Sequence, residues 1–245
     1  MSILNLHWGE LSFSSPAENL AMDEALLDAT EAGELGPTLR FWESPAPFVV
    51  LGYANRRDTE VNILECERLS IPILRRCSGG GTVLQGPGCL NYNLVLPLDA
   101  APALSSITAT NRFVMEGQQS ALISLLGDGV EICGHTDLVW QGRKVSGNAQ
   151  RRKREALVFH GCFLLSLPVE LIDLCLLMPS SQPAYRGHRS HAEFLTHLPL
   201  TKPQLIQALV NSWQASAQIE LWPLERMQML SRDQYSTDSW NARFT

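Results

Sequence analysis

The sequence lacks any unbroken run of about 18 apolar residues, the length a helix needs to cross a bilayer, so no membrane segment is expected. Its opening, MSILNLHWGELSF, has no basic stretch running into an apolar one, and an unexported, cytoplasmic protein is expected. Positive charge is also short. The 19 lysines and arginines stand against 25 aspartates and glutamates, a formal net charge of -6, which gives no global field for drawing in nucleic acid. Cysteine is sparse. Cys66, Cys77, Cys89, Cys133, Cys162 and Cys175 form no CxxC pair, which argues against a disulfide scaffold and for reduced thiols. The nearest histidines, His188 and His191, are flanked by Arg186 and Arg189, whose charge repels a cation, so no zinc site is expected. Neither GxxxxGK[ST] nor GxGxxG occurs, which removes the P-loop and the dinucleotide-binding turn. No repeat, low-complexity linker or charge block divides the chain. Residues 1–245, with 45% hydrophobic positions, are read as one domain able to bury a core.

What is present alternates without a regular βαβ rhythm. Ser14 or Ser15 caps a helix that Pro16 enters and Gly33 ends. Short β-like runs follow at Leu39 to Trp42 and Phe48 to Leu51, then helical spacing from Thr59 to Leu69 and again from Ser106 to Leu126. The stretches VEIC, DLVWQGRKVSGNAQRR and ALVFHGCFLLSL read as strands joined by turns such as Gln141-Gly142. VELIDLCLLM and KPQLIQALVNSWQASA read as helices, the second capped by Thr201 with Pro203 in its first turn. Adjacent strands in sequence favour an α+β fold with a mixed, largely antiparallel sheet flanked by helices.

Three segments carry chemistry. Arg75 and Arg76 end an apolar strand and lead through Cys77 and Ser78 into Gly79, Gly80 and Gly81. Glycine backbones and guanidiniums suit an anion, although a hairpin turn with two surface arginines is equally compatible. In the hairpin centred near Gly142, Asp137 and Lys144 can meet across the strands, either as an ordinary ion pair or as a fixed ammonium facing growing phosphate charge; Gly147 and Ala149 beside them allow close approach. His160-Gly161 sits mid-strand, where a hydrogen-bonded core histidine is the default.

Taken together, RRCSGGGTV (75–83), DLVWQGRKVSGNAQ (137–150) and HG (160–161) resemble the lipoate–protein ligase family of the biotin/lipoate ligase and octanoyltransferase superfamily. Supporting matches are NLAMDEALL (19–27), FWESPAPFVVLGY (41–53) and YSTDSWN (235–241). The resemblance implies a catalytic domain like those of class II aminoacyl-tRNA synthetases and biotin ligases. It implies ATP-dependent activation of lipoate as lipoyl-AMP, with Mg2+, then transfer to a lysine of a lipoyl-acceptor domain such as a glycine cleavage H-like protein or a 2-oxoacid dehydrogenase E2 domain. By motif, Arg76, Ser78, Gly79, Gly80, Gly81, Thr82, Val83, Leu84, Asp137, Lys144, Gly147 and Ala149 would bind nucleotide or acyl-adenylate, with Lys144 catalytic and Asp137 the one side chain near Mg2+. Trp42, Gly52 and His160 would shape the lipoyl site. The chain matches the form without a C-terminal accessory domain, which implies either that it acts alone or that a separate small accessory subunit is a further partner.

The rival reading is an octanoyltransferase, which moves an octanoyl group from acyl carrier protein through a cysteine thioester. Where the classical transferases carry that cysteine the chain reads Met178-Pro179-Ser180-Ser181. Where the ligase-like ones carry it stands Gly129, with Cys133 nearby expected to be structural. That absence favours the ligase. The GRGRxGR loop of biotin ligases is missing, and a non-catalytic lipoyl-domain binding module is opposed by the retention of Arg76, the glycine run and Lys144. The basic run Arg151 to Arg154 either steers an acidic acceptor domain or faces solvent.

Overall fold

A computed structural model describes residues 4–244. In chain order the strands are β1 (His7–Glu10), β2 (Thr38–Trp42), β3 (Phe48–Leu51), β4 (Ile73–Arg75), β5 (Val83–Gln85), β6 (Cys89–Pro97), β7 (Val130–Cys133), β8 (Asp137–Trp140), β9 (Arg143–Arg152), β10 (Ala156–Leu164) and β11 (Ala217–Gln218). The helices are α1 (Pro16–Glu31), α2 (Arg57–Glu60), α3 (Ile63–Arg68), α4 (Ile107–Leu126), α5 (Val169–Cys175), α6 (His191–Phe194), α7 (Lys202–Ser212), α8 (Leu224–Leu230) and α9 (Asp238–Asn241).

Eight strands form one sheet in the order β11-β1-β2-β6-β10-β9-β8-β7. Its β11, β1 and β2 run parallel, and every pairing from β2 to β7 is antiparallel. A second sheet, β4-β3-β5, stands apart. The architecture is therefore the α+β, mostly antiparallel arrangement that the adjacent strands imply. One face of the large sheet packs Leu39, Phe41, Leu94 and Phe159 against Val114 of α4 and Leu205 and Leu209 of α7. The other packs Val95 and Val158 against Ala21, Met22 and Ala25 of α1 and Met227 of α8. The small sheet has its own apolar cluster with Cys66, Ile172 and Phe194. Burying these surfaces at roughly 25 cal/mol per Å² fixes the layers, and the space left between the small sheet and the large one becomes the cavity described below.

The helical reading of Thr59 to Leu69 needs correction. The segment breaks at Val61, which is extended and bridges Leu176, and the Asn62 side chain caps α3 by accepting from the Glu65 amide. The same bridge stops α5 at Cys175, short of Met178. Likewise α7 ends at Ser212, capped by Trp213, before Gln214 turns with φ 51° into β11. A further departure is β1, paired in parallel with β2 and β11 across long sequence separations.

The hairpin between β8 and β9 turns through Gln141 and Gly142, with φ of 51° and 75°, the doubly positive geometry that a two-residue turn requires. A bulge follows: Val139 pairs with Lys144, but Leu138 pairs with Ser146 and Asp137 with Gly147. Val145, the extra residue, turns into the core, where it is fully buried.

Candidate functional site

A cavity of about 470 Å3 lies against α1, the small sheet and the bulged end of β9. Its apolar side is formed by Leu20, Trp42, Val50, Leu164, Ile172 and Leu176. Its polar side gathers Arg76, Asp137, Lys144 and His160. A slot of this size accepts a small amphiphile with a long apolar tail.

Lys144 is aimed by the bulge. The extra residue puts Lys144 and Gly147 on the same face, and a Cβ on Gly147 would fall 2.9 Å from the ammonium nitrogen. The absent side chain leaves the lysine room to lie across β9 and reach Asp137 Oδ1 at 2.8 Å. Tyr185 donates to the other carboxylate oxygen at 2.7 Å, and Phe194 places its ring 6.0 Å from the ammonium. The segment holding Tyr185 and Phe194 is tied to the hairpin: the Thr196 amide donates to the Lys144 carbonyl at 3.0 Å, and Arg189 donates to Gly142 O at 3.2 Å. This strap supplies Pro179, Gln182, Arg186 and Leu195 to the cavity wall.

The two arginines before the glycines have separate duties. Arg75 is buried and donates to the carbonyls of Gly52, Tyr53 and Asn55, and to those of Trp240 and Asn241 near the C-terminus. Arg76 holds the glycine turn in shape, donating from Nη2 to Gly79 O at 2.6 Å and Gly81 O at 2.8 Å, and from Nε to Ser78 Oγ at 3.0 Å. Burial lowers its pKa to about 10, so it remains charged near neutrality. Gly52 lies beneath the turn rather than on the cavity wall; a Cβ there would stand 2.1 Å from Gly80 O.

His160 is the hub of a buried relay. Ser78 donates its hydroxyl to Nε2 at 2.5 Å, and Nδ1 donates to Asp23 Oδ2 at 3.2 Å; this tautomer follows from the carboxylate's being an acceptor only. Asp23 Oδ1 accepts from Arg40 at 2.7 Å. Arg40 is fully buried, three more of its donors are taken by Asn19 and the Leu11 carbonyl, and burial lowers its pKa to about 10 against the pull of Asp23. On the strand opposite, Asn148 accepts from Tyr92 at 2.7 Å and donates to Thr136 O at 2.6 Å.

Of the residues singled out in the sequence, Trp42, Arg76, Gly80, Gly81, Thr82, Val83, Leu84, Asp137, Lys144, Gly147, Ala149 and His160 converge on this cavity. Ser78 is buried behind the turn and Gly79 is exposed on it, and neither lines the cavity. Asp23, Arg40, Tyr185 and Asn148 are supports that sequence reasoning missed. The one available signal was a pair of carboxylates, Asp23 and Glu24, inside the mostly apolar NLAMDEALL, where α1 buries both. The basic run is largely spent inside the fold. Arg151 donates to Cys77 O, Arg152 to Thr110 Oγ1 and Leu104 O, and Lys153 pairs with Asp28, which leaves Arg154 with exposed Glu155.

A nucleotide suits the turn. Gly79 and Gly81 have open space where a Cβ would stand, and Thr82 Oγ1 and Trp42 Nε1 are buried polar atoms on the wall with no partner among the described residues. Asp137 is a poor seat for magnesium, because the Lys144 ammonium lies 2.8 Å from one carboxylate oxygen and repels a cation there, while Tyr185 donates to the other. Among the described residues no group of three or more His, Cys, Asp or Glu is placed to hold a metal ion, and no helix is long and apolar enough to cross a membrane.

The family model for the lipoyl protein ligase A/B catalytic domain matches residues 15–213. A protein of Brevibacillus brevis named octanoyltransferase LipM is 27% identical, over 94% of this chain and 95% of its own. One of the same name from Oceanobacillus iheyensis is 31% identical, over 85% and 84%. Among solved structures, the bi-partite lipoate protein ligase of Thermoplasma acidophilum, described with its E2 lipoyl domain, superposes with a TM-score of 0.81 at 20% identity, covering 98% of this chain and 96% of that one.

Proposed function

The chain belongs to the lipoyl protein ligase A/B catalytic domain family, and from that premise we propose that it transfers an octanoyl group from a carrier-protein thioester to a lysine of a lipoyl-acceptor domain in the cytoplasm. The observation that carries this reading is the placement of one fixed ammonium, Lys144, at the polar end of an apolar slot. The octanoyl tail fills the side lined by Trp42, Val50, Ile172 and Leu176, and its carbonyl comes to rest near Lys144. As acyl transfer proceeds, the carbonyl oxygen gains negative charge, and a preorganised ammonium stabilises that charge more than it does the ground state. The relatives named octanoyltransferase support this choice of donor.

A second reading, ATP-dependent lipoate ligation, is favoured by the open glycine turn and the partnerless Thr82 hydroxyl, both suited to a nucleotide. Arg76, Gly81 and Thr82 would then hold the phosphates, and ATP would supply the activation of the carboxylate.

Mass spectrometry of an acceptor domain separates the two. It is incubated with the protein and either octanoyl carrier protein without ATP or lipoate with ATP. A mass gain from the thioester alone is expected; a gain that requires nucleotide would establish the ligase, and none in either case would leave a binding module.

Filling the space beside the lysine tests the geometry. In Gly147→Ala the new methyl crowds the flexible end of Lys144 and makes only ordinary contact with Asp137 Oδ1 at 3.8 Å, so the urea midpoint is expected to stay within experimental error. Transfer should fall about a hundredfold, the scale of a misplacement of roughly 1 Å. An unchanged rate would show that the lysine's path over Gly147 is irrelevant.

A further inference from the structure

We propose that Cys162 is the nucleophile that carries the octanoyl group as a thioester between donor and acceptor lysine, an inference that rests on the octanoyl-transfer reading above. Cys162 lies on β10 directly opposite Gly147 of β9, the same glycine over which the Lys144 ammonium lies. Thiol and ammonium therefore flank one gap in the strand. Cys162 is 7% exposed and lines the cavity, so what surface it has faces the acyl site.

Its surroundings set it apart from the other thiols. The hydrogen bond from Cys89, on neighbouring β6, makes Cys162 easier to ionise against the cost of burial, helped by the Lys144 charge, the Gly147 amide and Arg76. Cys89, the donor, is pushed the opposite way. Burial raises Cys66 and Cys77 to about 12 and also raises Cys133 and Cys175. Of six free thiols, one is inclined to the thiolate form, and it is the one beside the fixed cation. The buried Ser78–His160–Asp23 relay is no rival, because Ser78 is 1% exposed and stands off the cavity wall.

The chemistry closes on itself. The Cys162 thiolate attacks the donor thioester carbonyl; a C–S bond to Cys162 forms, the donor C–S bond breaks, and the carrier thiolate leaves and takes a proton. The uncharged amine of the acceptor lysine then attacks the new thioester. A C–N bond forms, the C–S bond breaks, Cys162 returns to thiolate, and the amine releases the proton that replaces the one consumed. In both steps the negative carbonyl oxygen of the tetrahedral intermediate lies within the field of Lys144.

The full-length protein is mixed with octanoyl carrier protein, quenched in acid and mapped by peptide mass spectrometry. One octanoyl group on Cys162 is expected in the wild type, and its absence in Cys162→Ala together with a transfer rate at least a hundredfold lower. Cys133→Ala should keep both. Cys89→Ala should keep the adduct but shift the pH dependence of iodoacetamide alkylation at Cys162 to higher pH, since a bond favouring the thiolate is lost. An adduct on another residue, or full transfer by Cys162→Ala, overturns the assignment while leaving octanoyl transfer standing. A wild type that modifies the acceptor only with ATP overturns the transfer reading and this assignment with it. If Cys162→Ala does not fold, the mapped position of the wild-type adduct decides alone.

Discussion

Lys144→Ala is expected to lower kcat/KM for acyl transfer by between a hundredfold and a thousandfold, the cost of removing one preorganised donor from developing oxyanion charge, about 3–4 kcal/mol. Stability should change little. The Lys144 side chain is 24% exposed and its Asp137 partner 15%, so the pair is neither deeply buried nor alone in holding the carboxylate, which keeps the Tyr185 hydroxyl. A loss of about 1 kcal/mol or less in urea unfolding is the corresponding expectation. Lys144→Arg should not restore the rate, because a planar guanidinium cannot lie over Gly147 and present a point charge at the same place. Steady-state kinetics with saturating acceptor domain, beside an unfolding curve, provides the test. A variant that loses stability and rate together would mean that the lysine holds the hairpin rather than the transition state.

The second large effect lies beneath the site. Arg40→Leu should cost about 3–5 kcal/mol in urea unfolding, because it leaves the Asp23 carboxylate 3% exposed and facing only His160. The double variant Arg40→Leu with Asp23→Leu should recover much of that stability, since no unpaired charge remains buried. It should not recover activity to the same extent: without Asp23, nothing among the described residues holds His160 Nδ1, and the ring on the cavity wall that accepts from Ser78 is no longer fixed in orientation. Equal stability of the single variant and the wild type would show that water or another group takes over the carboxylate.

Much of this was legible in the residues themselves. Gln141-Gly142 announced the hairpin, the apolar run before three glycines announced a strand ending at a turn, and Asp137 with Lys144 announced a contact across the hairpin. Each is a local signal, carried by a few neighbouring positions. What stayed hidden depends on distant partners. His7–Glu10 becomes a strand only because Thr38–Trp42 and Ala217–Gln218 take up its hydrogen bonds. Arg40 looks like any polar residue in a strand until α1 brings Asp23 over it. Arg151 and Arg152 read as a basic patch until Cys77, Leu104 and Thr110 claim their donors. Cys162 sits in an apolar strand and reads as core; only the pairing with Gly147 opens it to the cavity.

The bulge in β9 has a consequence for how this hairpin can vary. Side chains along a strand alternate, so residues separated by an odd number of steps normally face opposite ways. Lys144 and Gly147 are an odd distance apart yet share a side, and that exception is bought by Val145 alone. The segment thus works as a parity switch: loss or gain of a single residue between Lys144 and Gly147 would reverse every outward-facing and inward-facing position downstream, whereas changes by two would preserve them. Length drift in this loop is therefore constrained in steps, with even changes tolerable and odd ones ruinous to the alignment of amine and thiol.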